Sequence, residues 1–253
     1  MGSKNALQVY RGAPASPQLY ELISSQRKLE DLAKKLVSKS ELRTGNNGKL
    51  YVGNEEVNLK SRGEANLFRA LEELRIKIAY ETVCFFMPGL RDGFKPDFFT
   101  NIYVHDGKTE RWKHKTVNGY KNDRIVLTEM HSMDWFEQNK NSRAALNQGR
   151  FYLNKVSTIR TRYPEIYFIF ISNVRQEKLE AMFNTETKNI CDEYYFMPNA
   201  YEKQRELLDM FRSLTERKNV RVEGKSKAWH KTLIKIASKE LERVRDTVHS
   251  LWY

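Results

Sequence analysis

Hydrophobic residues recur with helical spacing near the start of the chain. The spacing predicts a helix over 17–38. A Gly53-Asn54 turn between two short apolar runs then predicts a hairpin. Ser61, followed three residues later by Glu64, is typical of a capping box and predicts a second amphipathic helix to about Ala79.

Three strand-like runs follow this helix. They lie at 80–87, 94–104 and 124–131. Between the second and the third is a polar, basic stretch at 105–123, which predicts a long hairpin tip or a surface insertion.

The second half of the chain mixes helical and strand patterns. The predicted elements are helices at about 138–163, 175–184 and 199–217, strands at 166–171 and 191–197, a linker at 218–224 and a basic amphipathic helix at 225–253. The continuous apolar run 166–171 indicates a strand buried on both faces. Helix, three strands, helix and strand in that order predict an α/β fold with a mixed central sheet and helices on both faces.

This pattern divides the chain into three expected segments. They are an N-terminal helix and hairpin addition at 1–60, a core at 61–217 and a C-terminal basic helix at 218–253. With 40% apolar residues, 13 Tyr and 13 Phe, the chain is rich enough in apolar side chains for a packed core, which argues against wholesale disorder.

The charge balance of the chain indicates what kind of partner it binds. Lys and Arg number 44 against 32 Asp and Glu, a formal net charge of +12. Such a balance favours a polyanion, because neutralising phosphates releases counterions. A lysine-rich solvated surface without a nucleic-acid partner is the alternative.

Cysteine usage and hydropathy bear on the compartment. The two cysteines, Cys84 and Cys191, lie in apolar strand-like runs, which argues against a disulfide framework and against a zinc site. No apolar run approaches the ~18 residues of a membrane span, and nothing at the N-terminus resembles a signal peptide. We expect a cytoplasmic protein in a reducing compartment, without a membrane partner.

Two carboxylates stand in otherwise apolar strand-like runs. Asp97 opens one run and Glu129 lies within another. A buried charge of this kind needs a partner, and two on neighbouring strands favour a shared Mg²⁺ or Mn²⁺. Glu64 is a candidate third ligand, with helix capping as its alternative role. A turn residue and a strand salt bridge are the alternatives for Asp97 and Glu129.

Taken in order, these residues resemble the PD-(D/E)XK nuclease superfamily over about residues 61–172. The matching motifs are the helix residue Glu64, Pro96-Asp97, Glu129-Met130-His131, and a downstream helix in which Gln148 and Tyr152 are similar to the Gln-x-x-x-Tyr signature of RecB-like members. The segment Ser61-Arg62-Gly63-Glu64 also resembles archaeal Holliday-junction resolvases and transposon endonucleases.

The resemblance implies a restriction-endonuclease-like αβββαβ core and metal-dependent hydrolysis of DNA in repair or recombination. It implies that Asp97 and Glu129 bind the metal with help from Glu64, and that Gln148 and Tyr152 support the site. His131 stands where the family has lysine, and Lys95 or Lys140 are alternative sources of that cation. Junction and duplex cutters commonly pair two sites, so the resemblance is compatible with a homodimer.

Basic residues around these motifs are candidates for phosphate contacts. They are Lys95, Arg111, Lys113, Lys115, Arg143, Arg150 and Lys155. Those in 105–123 are interleaved with Trp112 and Tyr120, a combination that suits groove binding or base stacking, with a solvated hairpin as the alternative.

Three functions follow as hypotheses. The first is a Mg²⁺- or Mn²⁺-dependent DNA endonuclease. The second, motivated by the missing lysine, is a degenerate nuclease-fold module that binds DNA or RNA without cutting. The third is an interaction protein whose positive charge is incidental.

Overall fold

The computed structural model describes residues 17–87, 93–105, 115–116, 119–120, 123–199, 203–224 and 226–252. The chain forms two compact units, one of residues 1–57, 79–96 and 225–253 and the other of residues 58–78 and 97–224. We call them unit 1 and unit 2. Unit 1 thus combines most of the two predicted terminal segments with residues 79–96, whereas unit 2 holds most of the predicted core.

The described residues of unit 1 form three helices and a small sheet. Helices α1 (Pro17–Ile23) and α2 (Gln26–Ser38) pack against the long terminal helix α8 (Ser226–Trp252). Trp229, Leu233 and Leu241 on the apolar face of α8 are fully buried. Strands β1 (Leu42–Thr44), β2 (Leu50–Val52) and β3 (Glu55–Glu56) form an antiparallel sheet.

One buried acid of unit 1 is fully paired. Glu240 on α8 is completely buried, and its Oε1 accepts a hydrogen bond from the amide of Phe86 at 2.8 Å. The guanidinium of Arg243, one turn along, donates both to this carboxylate and to the carbonyl of Phe86. The Glu240 and Arg243 side chains therefore connect the backbone of Phe86 to helix α8. They also pair with each other, which compensates the buried charge of Glu240.

Unit 2 is built on a mixed sheet. Its strands are β5 (Phe98–His105), β8 (Asp123–Met130), β9 (Ile166–Ser172), β10 (Glu193–Phe196) and β11 (Val220–Val222), in the order β10-β9-β8-β5-β11. β8, β9 and β10 run parallel to one another, whereas β5 pairs antiparallel with both β8 and β11. The apolar run of β9 is central in this sheet, as its continuous pattern predicts.

Helices flank this sheet. They are α3 (Arg62–Glu73), α4 (Asp134–Gln138), α5 (Arg143–Arg162), α6 (Gln176–Phe183) and α7 (Gln204–Thr215). α3 packs against α7, and α5 packs against β9 and α6. The α/β class and the mixed sheet flanked by helices are confirmed.

Glycine is required at one position in α5. A Cβ on Gly149 would lie 2.3 Å from the ring of Phe183 and 3.3 Å from the ring of Phe136. Because these rings come from α6 and α4, Gly149 is the point at which three helices approach each other. This contact sets the position of α5, which carries Tyr152.

Several predicted elements differ from the structure. The predicted helix 17–38 is interrupted, because the Ser25 side chain accepts a hydrogen bond from the amide of Lys28 and starts a new helix there. The predicted helix 138–163 is likewise two helices, α4 and α5, since the hydroxyl of Ser142 caps the second. Local capping outweighs the apolar period at both breaks.

The first predicted strand was also wrong. Helix α3 ends at Glu73 rather than near Ala79, with Arg75 in the left-handed region at φ 57°. Strand β4 covers only Ile78–Tyr80, and within the predicted strand 80–87 a single bridge joins Phe85 to Phe94. The apolar residues of this run are buried without forming a ladder.

The sequence also missed an edge strand. The predicted linker 218–224 contains β11, whose three residues pair with β5. Within the predicted hairpin tip, β6 (Lys115–Thr116) and β7 (Gly119–Tyr120) pair antiparallel. Trp112 lies outside the described residues. None of the helices that the structure describes is both long enough and apolar enough to cross a membrane.

Candidate functional site

Asp97 and Glu129 are joined through their backbones in unit 2. Asp97 immediately precedes β5, and the register that pairs Phe98 with Thr128 places it beside Glu129 on β8. The amide of Asp97 donates a hydrogen bond to Glu129 Oε2 at 3.0 Å. In return Asp97 Oδ2 accepts one from the amide of Met130 at 2.9 Å. Each carboxylate is therefore held by the strand that carries the other.

The environment of this pair opposes its ionisation. Asp97 is 7% exposed and Glu129 4% exposed. Burial, followed by the charges of Glu129 and Glu64, raises the pKa of Asp97 well above its usual range. Burial raises the pKa of Glu129 to about 7, although hydrogen bonds from Tyr152 and from the Asp97 amide act in the opposite direction. Two acids of this kind are acceptors for a proton or a cation.

Glu64 adds a third negative charge near the pair. It lies in the first turn of α3 and is 5% exposed. Its amide donates to the Ser61 hydroxyl at 3.0 Å, as a capping box predicts, while its Oε2 accepts from the amide of Lys60 at 3.1 Å. The side chain therefore contributes to the helix start, and its charge also raises the pKa of Asp97 and of Glu129.

The donor set suits a hard divalent cation. Carboxylate oxygens are the ligands preferred by Mg²⁺ and Mn²⁺, and Asp97 Oδ1 accepts no hydrogen bond from any described residue. Within the described ranges, however, no three acidic, histidine or cysteine side chains are grouped as a set that would hold an ion. The chemistry of Asp97 and Glu129 fits such an ion.

Tyr152 links helix α5 to the carboxylate pair. Its hydroxyl donates to Glu129 Oε1 at 2.7 Å. Its ring stacks on the imidazole of His131 with centroids 4.1 Å apart and an interplanar angle of 20°. Tyr152 therefore contacts Glu129, whereas the side chain of Gln148, one turn earlier, is exposed and forms no hydrogen bond with a described residue.

His131 does not supply a positive charge at the position where the sequence resemblance led us to expect a lysine. Burial, followed by the positive charge of Lys155, lowers the pKa of His131 to about 4. The imidazole is therefore neutral at pH 7 and is a weak base there. The stack on Tyr152 gives it a packing role at the end of β8.

Two lysines bear on the charge of the site: Lys60, to which the sequence assigned no role, and Lys155, which it predicted to contact phosphate. Lys60 acts electrostatically on Asp97 and Glu129, and Lys155 on Glu129 and His131. Burial lowers the pKa of Lys155, and the charge of Glu129 opposes this. Lys155 follows Tyr152 by three residues on α5, a helical neighbour spacing that was readable from the sequence.

The other predicted basic residues are spread out. Arg143 and Arg150 are exposed on α5, and Lys140 is exposed just before it. Lys95 belongs to unit 1, whereas the carboxylate pair lies in unit 2. Arg111 and Lys113 lie outside the described residues, and Lys115 belongs to the short strand β6.

No protein-family model, no curated protein and no solved structure matches this chain. The site is therefore interpreted from its own chemistry.

Proposed function

We propose that this protein is a Mg²⁺- or Mn²⁺-dependent DNA endonuclease with a restriction-endonuclease-like core. The observation that carries the proposal is the buried pair Asp97 and Glu129, cross-linked through the amides of two adjacent strands. Burial and neighbouring carboxylate charge raise the pKa values of both acids, a divalent cation would favour their ionised forms, and perturbed groups of this kind concentrate at functional sites.

The order of elements supports the same proposal. Along the chain, helix α3 is followed by the longer elements β5, β8, α5 and β9, with the shorter β4, β6, β7 and α4 between them. Strand β5 is antiparallel and β9 parallel to β8. Glu64, Asp97, Glu129 and Tyr152 occur on these elements in the order that the nuclease resemblance implies. The net charge of +12 is consistent with a polyanionic substrate.

The residues have distinct roles in the proposed reaction. Asp97 and Glu129 would hold the metal ion, which would supply Lewis-acid chemistry to the hydrolysis of the phosphodiester. Tyr152 orients Glu129 through its hydrogen bond. Glu64 adds negative charge that favours retention of a divalent cation.

Lys155 is the best candidate in the structure for the cation that His131 does not provide. It is close enough to Glu129 and His131 to influence both electrostatically, and it lies on the helix that carries Tyr152. In this role its ammonium offsets negative charge that develops on the phosphate. A lowered lysine pKa is also compatible with exchange of a proton with water.

The test is cleavage of duplex, junction and single-stranded DNA by the purified protein with Mg²⁺ or Mn²⁺. Asp97→Asn and Glu129→Gln are expected to abolish cleavage while both variants still fold and unfold cooperatively. The matched control is Asp209→Asn on α7, because its carboxylate is exposed and its ion pairs with described residues are with two arginines of the same helix. Cleavage that survives Asp97→Asn would refute the assignment.

A non-cleaving module that binds DNA or RNA is the second candidate. The neutral His131 favours it, since the strand that carries Glu129 lacks the lysine of the nuclease motif. Salt-sensitive binding of nucleic acid without cleavage in either metal would support this candidate. Absence of any binding at low salt would instead support an interaction protein with incidental charge.

A further inference from the structure

Two large aromatic side chains are exposed in unit 2 beside the candidate site. Trp135 on α4 is 50% exposed and Phe151 on α5 is 42% exposed. Aromatic rings of this size bury a large apolar area when they find a partner, and exposed ones are enriched at binding surfaces. Their neighbours identify which partner would suit them.

A continuous series of rings leads from Trp135 to the carboxylates. The indole of Trp135 lies edge-on to Phe136 with centroids 5.1 Å apart, and Phe136 lies 6.2 Å from the ring of His131. His131 in turn stacks on Tyr152, whose hydroxyl is bound to Glu129. The exposed indole is therefore the outer end of the cluster that supports Glu129.

Phe151 lies next to the same ring cluster, on helix α5. It directly precedes Tyr152, and the ammonium of Lys155 lies 4.7 Å from the centroid of its ring. Phe151 thus presents an apolar ring together with a cation. This is the combination that binds a base and its phosphate.

The charge of α5 fits the same partner. The helix carries five basic residues, Arg143, Arg150, Lys155, Arg160 and Arg162, and no acidic one. Asp192 accepts from Arg160, while Arg143 and Arg150 are exposed. A helix with this charge is better suited to bind a polyanion than a protein surface that is apolar or has few acidic residues.

We propose that Trp135 and Phe151 stack against unpaired bases, so that the substrate class at this site is single-stranded nucleic acid or the unpaired end of a duplex. Bases in a duplex have both faces covered by their neighbours, whereas an unpaired base offers a free face. The exposed cations of α5 contact the phosphates of the same strand. The inference rests on the proposed function for the presence of a scissile bond at Asp97 and Glu129.

The experiment measures binding without cleavage. Fluorescently labelled oligothymidylate of about 16 nucleotides, the duplex of equal length and an abasic strand with the same phosphates are titrated by anisotropy in EDTA. The wild-type protein is expected to bind the thymidine strand more tightly than the abasic strand and the duplex. Trp135→Ala is expected to weaken binding of the thymidine strand about tenfold, with Phe151→Ala acting in the same direction. Neither change is expected to affect the abasic strand.

Phe196→Ala is the matched control. Phe196 is 40% exposed on β10 and has the guanidinium of Arg175 over its ring at 5.6 Å, so it reproduces the exposed ring and cation away from α5. Its replacement is expected to leave binding unchanged. The proposal would be overturned if wild type, Trp135→Ala and Phe151→Ala bound the thymidine strand with equal affinity. It would also be overturned if the wild-type protein preferred the duplex. A protein partner would then be the better occupant of this surface.

Cleavage is assayed separately, so the two proposals fail independently. Base-dependent binding through Trp135 in a protein that cuts nothing would refute the nuclease and leave the stacking surface. Metal-dependent cleavage that is unaffected by Trp135→Ala and Phe151→Ala on every substrate would support the nuclease and refute the stacking surface.

Discussion

The hydroxyl of Tyr152 on α5 donates a 2.7 Å hydrogen bond to Glu129 Oε1 on β8. It is one of two hydrogen bonds that lower the pKa of Glu129 against the effect of burial, the other coming from the Asp97 amide. The bond therefore couples the position of a surface helix to the ionisation of a buried acid.

Tyr152→Phe is expected to destabilise the protein in a pH-dependent way. A hydrogen bond to an ionised carboxylate contributes about 2 kcal/mol, and one to a neutral carboxyl about 1 kcal/mol. The free energy of unfolding in urea should therefore fall more at about pH 8 than at about pH 5. Tyr51→Phe is the control, because that hydroxyl accepts a hydrogen bond from the Asn47 amide and contacts no carboxylate in the described structure. An equal loss at both pH values would contradict ionisation of Glu129.

Glu129→Gln is expected to become relatively more stable as the pH rises. The folded protein retains a proton on Glu129 up to about pH 7, whereas the unfolded chain releases it near the ordinary value of 4.5. Stability therefore falls progressively between those two pH values, because loss of the proton from Glu129 is easier in the unfolded chain than in the folded protein. The stability of the variant minus that of the wild type should increase across this window by an amount on the order of 3 kcal/mol.

The contribution of His131 has the opposite sign and is present in both proteins. Its pKa is lowered to about 4, so its stabilising effect is complete above about pH 6.5 and is lost as the pH falls toward 4. The comparison of the two proteins at each pH by urea unfolding removes it. A flat difference between pH 4.5 and 7 would show that Glu129 titrates normally.

Mn²⁺ or Mg²⁺ is expected to raise the unfolding temperature of the wild-type protein. An ion that binds only the folded state stabilises it by mass action, and each kcal/mol corresponds to roughly 2–4 °C for a chain of this size. Differential scanning calorimetry at about pH 8 would measure the shift. It should disappear in Asp97→Asn and persist in Asp209→Asn. A shift of equal size in both variants would place the ion elsewhere.

Lys155→Met is expected to raise the pKa of His131. The positive charge of Lys155 is the second cause, after burial, of the low value, so its removal makes protonation easier. NMR titration of the imidazole measures this change independently of activity, and Lys140→Met, which changes an exposed lysine, is the control. If the proposed role is correct, Lys155→Met also slows cleavage by about 10²-fold. An unchanged His131 pKa would show that Lys155 does not act electrostatically on the site.

Gly149→Ala is expected to destabilise the packing of α5 by about 1–3 kcal/mol, despite the better helix propensity of alanine. The new methyl group would meet the Phe183 ring at 2.3 Å. Gly224→Ala is the control, since nothing lies within 4 Å of a Cβ there. Thermal unfolding of both variants measures the difference. Loss of the Tyr152 bond to Glu129 should follow, seen as a higher Glu129 pKa.

The sequence by itself determined the central strands and the position of the buried acids. The runs predicted at 94–104, 124–131 and 166–171 correspond to β5, β8 and β9 because continuous apolar residues need burial on both faces of a sheet. Asp97 and Glu129 were recognisable for the same reason, since a charge within such a run must find a partner.

Only the tertiary structure decided what those partners are. The amides that hold Asp97 and Glu129 belong to the opposite strand, which depends on a register set by the whole sheet. Strand β11 has too few residues to show a period and exists because β5 offers it an edge. The neutral His131 and the influence of Lys155 likewise arise from burial and from through-space charge, neither of which a linear pattern records.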